Sequence, residues 1–271
     1  MVSIGVMLLI EIVEINRKLG NGCTVPYVVW CNDGRKYVVK FPGNPNGSKA
    51  LINELIASRL CEYLNLPIME YQLIAVKRDN YRESIDSDIE PIEGTAFGTV
   101  YNDYLLTVLN SGEIRRASNS YDAIKILVFD LLIGNYDRNK GNLMINPQTK
   151  KVIMIDHTHI FNLGVIWDSC QLKRLEQESF DVTKLHPFNY NNIINALVRN
   201  DQFYFELNNF VDRVKNIDRG FVKEILDGIP RDWDISNQEK IAITDFIVNR
   251  FKRVDEILEL LNIKGGDSNE T

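Results

Sequence analysis

The chain has few of the residues and motifs that mark common enzyme and scaffold classes. Its 271 residues include four cysteines (Cys23, Cys31, Cys61 and Cys170) and three histidines. The cysteines are scattered and form no C-x-x-C pair. That argues against a disulfide framework or a zinc ribbon and reads as reduced, mostly buried thiols in a cytoplasmic protein. No apolar run approaches bilayer length, so no membrane role is expected. The apolar stretch Ile4 to Ile10 has no basic flank and runs into Glu11 and Glu14, so it reads as a strand rather than a signal peptide. Positive charge is outnumbered, 31 Lys and Arg against 37 Asp and Glu, for a formal net charge of −6. A general nucleic-acid binder would carry the opposite balance. Local positive groups can still hold phosphates. No G-x-x-x-x-G-K-[ST] run and no framed G-x-G-x-x-G is present, which excludes Walker-type and dinucleotide sites. The missing G-x-S-x-G elbow sets aside a serine hydrolase.

What is there is an ordinary globular composition, 45% apolar and 25% charged, on a chain long enough for one large domain or two lobes sharing a cleft. Residues 1 to about 42 read as three strands: Met7 to Leu19, Thr24 to Cys31, and Arg35 to Phe41. Asn32-Asp33-Gly34 is the tight turn between the last two, because Asp-Gly supplies positive φ. Ser48 to Leu64 reads as an amphipathic helix capped by Ser48, with Leu51, Leu55, Arg59 and Tyr63 on its apolar side. Ile68 to Val76 is a further strand, and Lys77 to Pro91 a polar surface connection. From about Tyr101 the pattern turns helical. Ser120 to Ile133 is a strongly apolar helix stopped by Gly134. Leu143 to Asn146 and Lys151 to Ile155 are short strands. Pro187 to Asn216 and Ser236 to Leu261 are long helical stretches, the latter opened by the capping box Ser236-x-x-Glu239. Lys264 to Thr271 reads as a disordered tail. The division expected is therefore 1–100, strand-rich, 101–263, helical, and 264–271, tail.

The chemistry lies in Gly134-Asn135-Tyr136-Asp137-Arg138-Asn139-Lys140-Gly141-Asn142, followed by Ile153-Met154-Ile155-Asp156. A carboxylate, an amide five residues on and a second carboxylate at the end of a strand are the groups that phosphoryl transfer uses. One orients and deprotonates the attacking hydroxyl; the other two hold metals. Asp156 follows a mostly apolar strand and needs a partner there, since an unpaired buried carboxylate is costly. A cation is one answer, a backbone or Arg partner the other. Lys140 or Arg138 is a candidate to stabilise the transferring group. Lys40, in Tyr37-Val38-Val39-Lys40-Phe41, either snorkels to solvent or reaches ATP phosphates. Glu54 is its candidate partner or else a plain exposed carboxylate. Gly20-Asn21-Gly22 is a hairpin turn or, more sharply, a phosphate-approaching loop. His157 and His159 alternate as zinc ligands can, but without a third ligand nearby they read as structural histidines.

The run Gly134 to Asn142 with Ile155-Asp156 resembles the catalytic and metal loops of HipA-like kinases, in their compact single-domain form. It is more distantly similar to phosphoinositide kinases and protein kinases. Gly22-x-x-x-Pro26, Asp33-Gly34, Tyr37 to Phe41 and Asn53-Glu54-x-x-Ala57-Ser58-Arg59-Leu60 resemble the N-terminal lobe of the same family. The resemblance implies an α+β, two-lobed kinase fold: a small antiparallel sheet plus helix, then a mostly helical lobe, with ATP and Mg²⁺ in the cleft. It implies Asp137 as base, Asn142 and Asp156 as metal ligands, Lys40 on the phosphates with Glu54 as its partner, and Gly20 and Gly22 in the phosphate-covering loop. The activity implied is a Ser/Thr protein kinase, with a protein substrate and a possible regulatory protein partner. A nucleotide-binding pseudokinase and a lipid or small-molecule kinase are the alternatives. Asn139 stands where both relatives often carry His, and His157-Thr158 stand where Phe-Gly is usual in protein kinases.

Overall fold

A computed structural model describes residues 10–20, 24–77, 93–184 and 201–263. The expected connection after Lys77, the opening of the stretch from Pro187, the tail from Lys264, and the Asn21-Gly22 half of the first turn lie outside the described residues. The architecture is mixed α+β, and the chain divides into two compact units.

The first unit draws on Met1–Ile52, Met69–Asp103 and Pro230–Asp234. Its strands are β1 (Ile10–Lys18), β2 (Tyr27–Cys31), β3 (Lys36–Lys40), β4 (Tyr71–Val76) and β5 (Gly94–Val100). The expected small antiparallel sheet is instead a closed barrel in the order β1-β2-β3-β5-β4. The ring closes where β1 pairs in parallel with β4, Ile10 opposite Ile74 and Glu11 opposite Ala75. The reason is physical: five twisted strands with one apolar face each bury that face by curling on themselves, which also removes the open edges. The inward residues include Ile12, Ile15, Val29, Tyr37, Val39 and Ile74, all at most 1% exposed. The segment Pro230–Asp234 joins this unit. Trp233, fully buried, donates its indole N–H to the Thr95 carbonyl at 2.7 Å, and Asp232 accepts the Thr95 N–H.

Burial of Cys31 in the barrel wall, reinforced by Asp33, pushes its thiol up to about 12. Burial raises Cys61 well above the usual thiol value too, while Cys170 is exposed. At pH 8 a thiol with that value is ionised to about one part in 10⁴, and the thiolate is the reacting form. Peptide mapping after N-ethylmaleimide treatment of the native protein at pH 8 is therefore expected to find Cys170 modified and Cys31 and Cys61 intact. Rapid modification of Cys31 would show that the barrel opens.

The second unit takes Asn53–Ile68, Tyr104–Ile229 and Ile235–Thr271. The helix α1 (Gly47–Tyr63) runs through to it. Ser48 lies inside the first turn of α1, not at its cap. The helix is not amphipathic as expected: every residue from Ala50 to Ser58 is buried, and Arg59, assigned to the apolar side, is exposed. Three strands, β6 (Leu106–Thr107), β7 (Leu143–Ile145) and β8 (Val152–Met154), form an antiparallel sheet in the order β6-β7-β8. The helices are α2 (Ser111–Arg115), α3 (Asp122–Ile133), α4 (Ser169–Glu176), α5 (Asp201–Lys215), α6 (Arg219–Asp227), α7 (Asn237–Phe251) and α8 (Val254–Leu260).

Helix α3 is buried from Ala123 through Ile133, as an element apolar on all sides must be. The capping box at Ser236 and Glu239 forms at the start of α7. The single helix expected to Leu261 breaks at Arg253, whose N–H closes a tighter turn on the Arg250 carbonyl at 3.0 Å. Arg250 ties the bundle together. Its guanidinium donates to the Leu131 and Leu132 carbonyls at the end of α3, both at 2.9 Å, and to the Leu175 carbonyl in α4 at 3.2 Å. A cation at a helix C-terminus satisfies orphan carbonyls and suits the helix dipole. Burial pushes this guanidinium down to about 10.

Candidate active site

Helix α3 ends because Gly134 turns left-handed at φ 72°. A Cβ there would sit 3.0 Å from the Asn162 backbone nitrogen, so the close approach of two chain segments requires glycine. The loop that follows exposes Asp137 and then tightens into a 3-10 turn, Lys140–Asn142, before β7. Asn142 is buried and its Nδ2 donates to the Asp137 carbonyl at 2.8 Å and toward the Asp137 Oδ2 at 3.4 Å. The amide nitrogen is thus turned onto the loop, which puts Oδ1, the atom a cation takes, at the other end of the amide.

The antiparallel pairing of β7 and β8 brings Asp156 to the same end. Leu143 is opposite Met154, and the Ile155 N–H donates to the Asn142 carbonyl at 3.1 Å. Asp156 is half-buried and left-handed at φ 58°, an uncommon backbone for a residue with a side chain. Its Oδ1 accepts the Thr158 N–H at 3.2 Å. Three of the sequence-assigned residues, Asp137, Asn142 and Asp156, therefore lie on neighbouring loops of one unit.

Arg138 requires a correction. As a candidate to stabilise a transferring group it would need to be accessible, yet it is 1% exposed and its donors are committed. Nε and Nη2 make a two-point pair with Asp130 of α3, at 2.9 and 3.0 Å. Nη1 donates to the Asn142 carbonyl at 3.0 Å and the Ile155 carbonyl at 2.7 Å. Asp130, 0% exposed, also accepts from the Asn135 amide at 2.9 Å. The guanidinium is a clip that holds the two loops carrying Asn142 and Asp156 against the end of α3. Asp130 was not singled out in the sequence; its signal was an acid in the middle of an apolar helix, which demands a buried partner.

Glu54 is not an exposed carboxylate. It is 3% exposed, and its Oε1 accepts the His157 N–H and the Thr158 hydroxyl, each at 3.1 Å. His157 Nδ1 lies 3.7 Å from Glu54 Oε2. Among the described residues no group of three His, Cys, Asp or Glu side chains is placed to hold a metal, so the zinc reading of His157 and His159 finds no site there. Lys40 and Gly20 belong to the barrel unit. Lys40 stands on the face of β3 opposite the core residues Tyr37 and Val39 and is largely buried. Gly20 is left-handed at φ 51°. Gly22 lies outside the described residues, and Lys140 opens the 3-10 turn.

The donor set suits a small hard cation. One carboxylate and one amide oxygen are ligands that Mg²⁺ accepts, and two protein ligands leave positions for water and phosphate oxygens. No helix among the described residues is long and apolar enough to cross a membrane.

A family model described as HipA-like kinase matches residues 12–262. Two of the solved structures that match the chain share its fold at a TM-score above 0.5. One is the proinflammatory kinase CtkA of Helicobacter pylori, at 15% identity and TM-score 0.53, covering 96% of this chain and 100% of that one. The other is HipA of Shewanella oneidensis MR-1, solved with HipB and its operator DNA, at 13% identity and TM-score 0.51, covering 90% of this chain and 68% of that one. Among curated proteins no match is found. The family match takes in nearly all of the sequence, including both loops of the site, and the chain belongs to the HipA-like kinases.

Proposed function

We propose that the chain is an ATP- and Mg²⁺-dependent phosphotransferase acting on a hydroxyl, a Ser or Thr of a protein substrate in the cytoplasm. In this reading residues 1–100 form the N-terminal lobe and 101–263 the C-terminal lobe of a two-lobed kinase. The observation that carries it is the convergence of Asp137, Asn142 and Asp156 at one end of the β7–β8 pair. Asp137, exposed at the loop tip, orients the acceptor hydroxyl and takes its proton. Asn142 Oδ1 and an Asp156 carboxylate oxygen hold the metal. When bound, the cation neutralises phosphate oxygens as charge builds on them. Lys40 binds the phosphates with Glu54 as its partner, Gly20 and Gly22 cover them, and Lys140 supports the transferring group. HipA, solved with HipB, makes a regulatory protein partner part of the same reading.

A ligand that binds only the folded state raises apparent stability by mass action, about 2.7 kcal/mol at a hundred times its dissociation constant. Thermal unfolding is therefore expected to shift upward by several degrees with ATP and Mg²⁺ together, and much less with ATP in EDTA. Equal shifts with and without Mg²⁺ would overturn the metal assignment.

A further inference from the structure

Asn53 makes contacts that no step above uses. It lies on α1, is 0% exposed, and spends its whole side chain on the segment that follows Asp156. Nδ2 donates to the Thr158 carbonyl at 2.7 Å and to the Gly164 carbonyl at 2.9 Å. Oδ1 accepts the indole N–H of Trp167 at 3.0 Å. One amide thus satisfies three polar groups spread over ten positions of a loop more than a hundred residues away. That loop carries three non-glycine residues at positive φ, Asp156, Phe161 and Asn162. Such backbone costs on the order of 1–3 kcal/mol per residue and persists only where surrounding bonds impose it.

The geometry points to Asn53 as the positioning residue for Asp156. The path is short: the Asn53 amide fixes Thr158 through its carbonyl, and the Thr158 N–H in turn fixes the Asp156 carboxylate at Oδ1. On the other side, Arg138 holds the Ile155 carbonyl. Asp156 is therefore held through the residues on both sides of it. Outer contacts of this kind orient metal-binding side chains, and their loss typically costs 10- to 100-fold in metal affinity. The inference rests on the proposed role of Asp156 as a metal ligand.

The test is the Mn²⁺ affinity of the protein–ATP complex, read on the full chain by electron paramagnetic resonance of free Mn²⁺ and corrected for the Mn²⁺ that ATP alone binds. Asn53→Asp keeps the shape and the acceptor for Trp167 but replaces both donors with lone pairs. It is expected to weaken Mn²⁺ binding 10- to 100-fold while leaving metal-free ATP binding unchanged. The control is Asn44→Asp in the barrel unit. Asn44 is equally built in, donating to the Phe41 and Gly47 carbonyls at 2.9 and 3.1 Å, and its loss is expected to lower the unfolding temperature without changing Mn²⁺ affinity. Should Asn53→Asp not fold, Gly164→Ala loads the same link from the loop side, since Gly164 is left-handed at φ 61° and a Cβ would meet His159 Nδ1 at 2.6 Å. The same weakening is expected there. Asp156→Asn calibrates the scale. If it abolishes Mn²⁺ binding and the folded Asn53 or Gly164 variant binds like wild type, the positioning role is wrong. If Asp156→Asn binds like wild type, the site reading itself fails.

Discussion

Asp156→Asn is expected to lose Mg²⁺-dependent phosphoryl transfer by three orders of magnitude or more while keeping the fold. Three orders correspond to about 4 kcal/mol of transition-state stabilisation, a plausible share for a ligand of the metal that neutralises the phosphates. The fold survives because asparagine tolerates the left-handed backbone that Asp156 adopts at φ 58°. Its amide oxygen also still accepts the Thr158 N–H. Alanine at the same position would confuse the two effects, since it loses both the backbone tolerance and the acceptor. Asp137→Asn separates binding from chemistry. Asp137 is exposed and its contact with Asn142 runs mainly through its backbone carbonyl, so Mg²⁺ and ATP binding should be retained while transfer falls. Circular dichroism, nucleotide thermal shift and radiolabelled transfer, run on both variants, check the pattern. Full activity in Asp156→Asn would falsify the assignment.

The largest expected effect on stability is at Arg138. Arg138→Met takes from Asp130, at 0% exposure, its two guanidinium bonds, leaving it the neutral Asn135 amide, and takes the donor from the carbonyls of Asn142 and Ile155. Removing one member of a buried pair costs about 3–5 kcal/mol, because the remaining charge has neither water nor a counter-charge. A domain's whole stability is about 5–15 kcal/mol, so the variant is expected to be close to unfolding at 37 °C. Urea denaturation measures this directly. Adding Asp130→Leu should recover part of the loss, since two matched apolar groups avoid the stranded charge. A guanidinium that served the transferring group instead would give the opposite pattern, intact stability with reduced transfer.

How much of this could be read in the sequence depended on whether a residue's partners were near in the chain. Gly134 as a helix stop, the capping box at Ser236 and the pair of short strands around Pro147 are local signals, and each stands close to where it was expected. The spacing of Asp137 and Asn142 is also local, and the Asn142 amide indeed reaches back five residues to Asp137. The burial of Asn53, Glu54 and Arg138 was not legible for the converse reason. Their bonds run to residues 4 to 114 positions away, most of them across the fold. On a helical wheel Asn53, Glu54 and Ser58 look like a polar face. In the fold all three are buried, and the segment after Asp156 supplies the hydrogen bonds of Asn53 and Glu54. β5, Gly94–Val100, was missed because two glycines and a small residue weaken the strand pattern, although it pairs on both sides, with β3 and β4. The barrel itself was illegible, since closure is decided by twist and by a parallel pairing between strands some sixty residues apart.

The way that barrel closes sets the order in which it comes apart. Four of its junctions are antiparallel ladders, whereas the β1–β4 junction is the parallel one. Parallel pairing is slightly less stable per residue than antiparallel, so breathing is expected to begin where β1 meets β4, turning the closed cylinder into a ribbon whose margins are those two strands. Those two strands are the ones that would then offer bare amides and carbonyls to a neighbouring molecule.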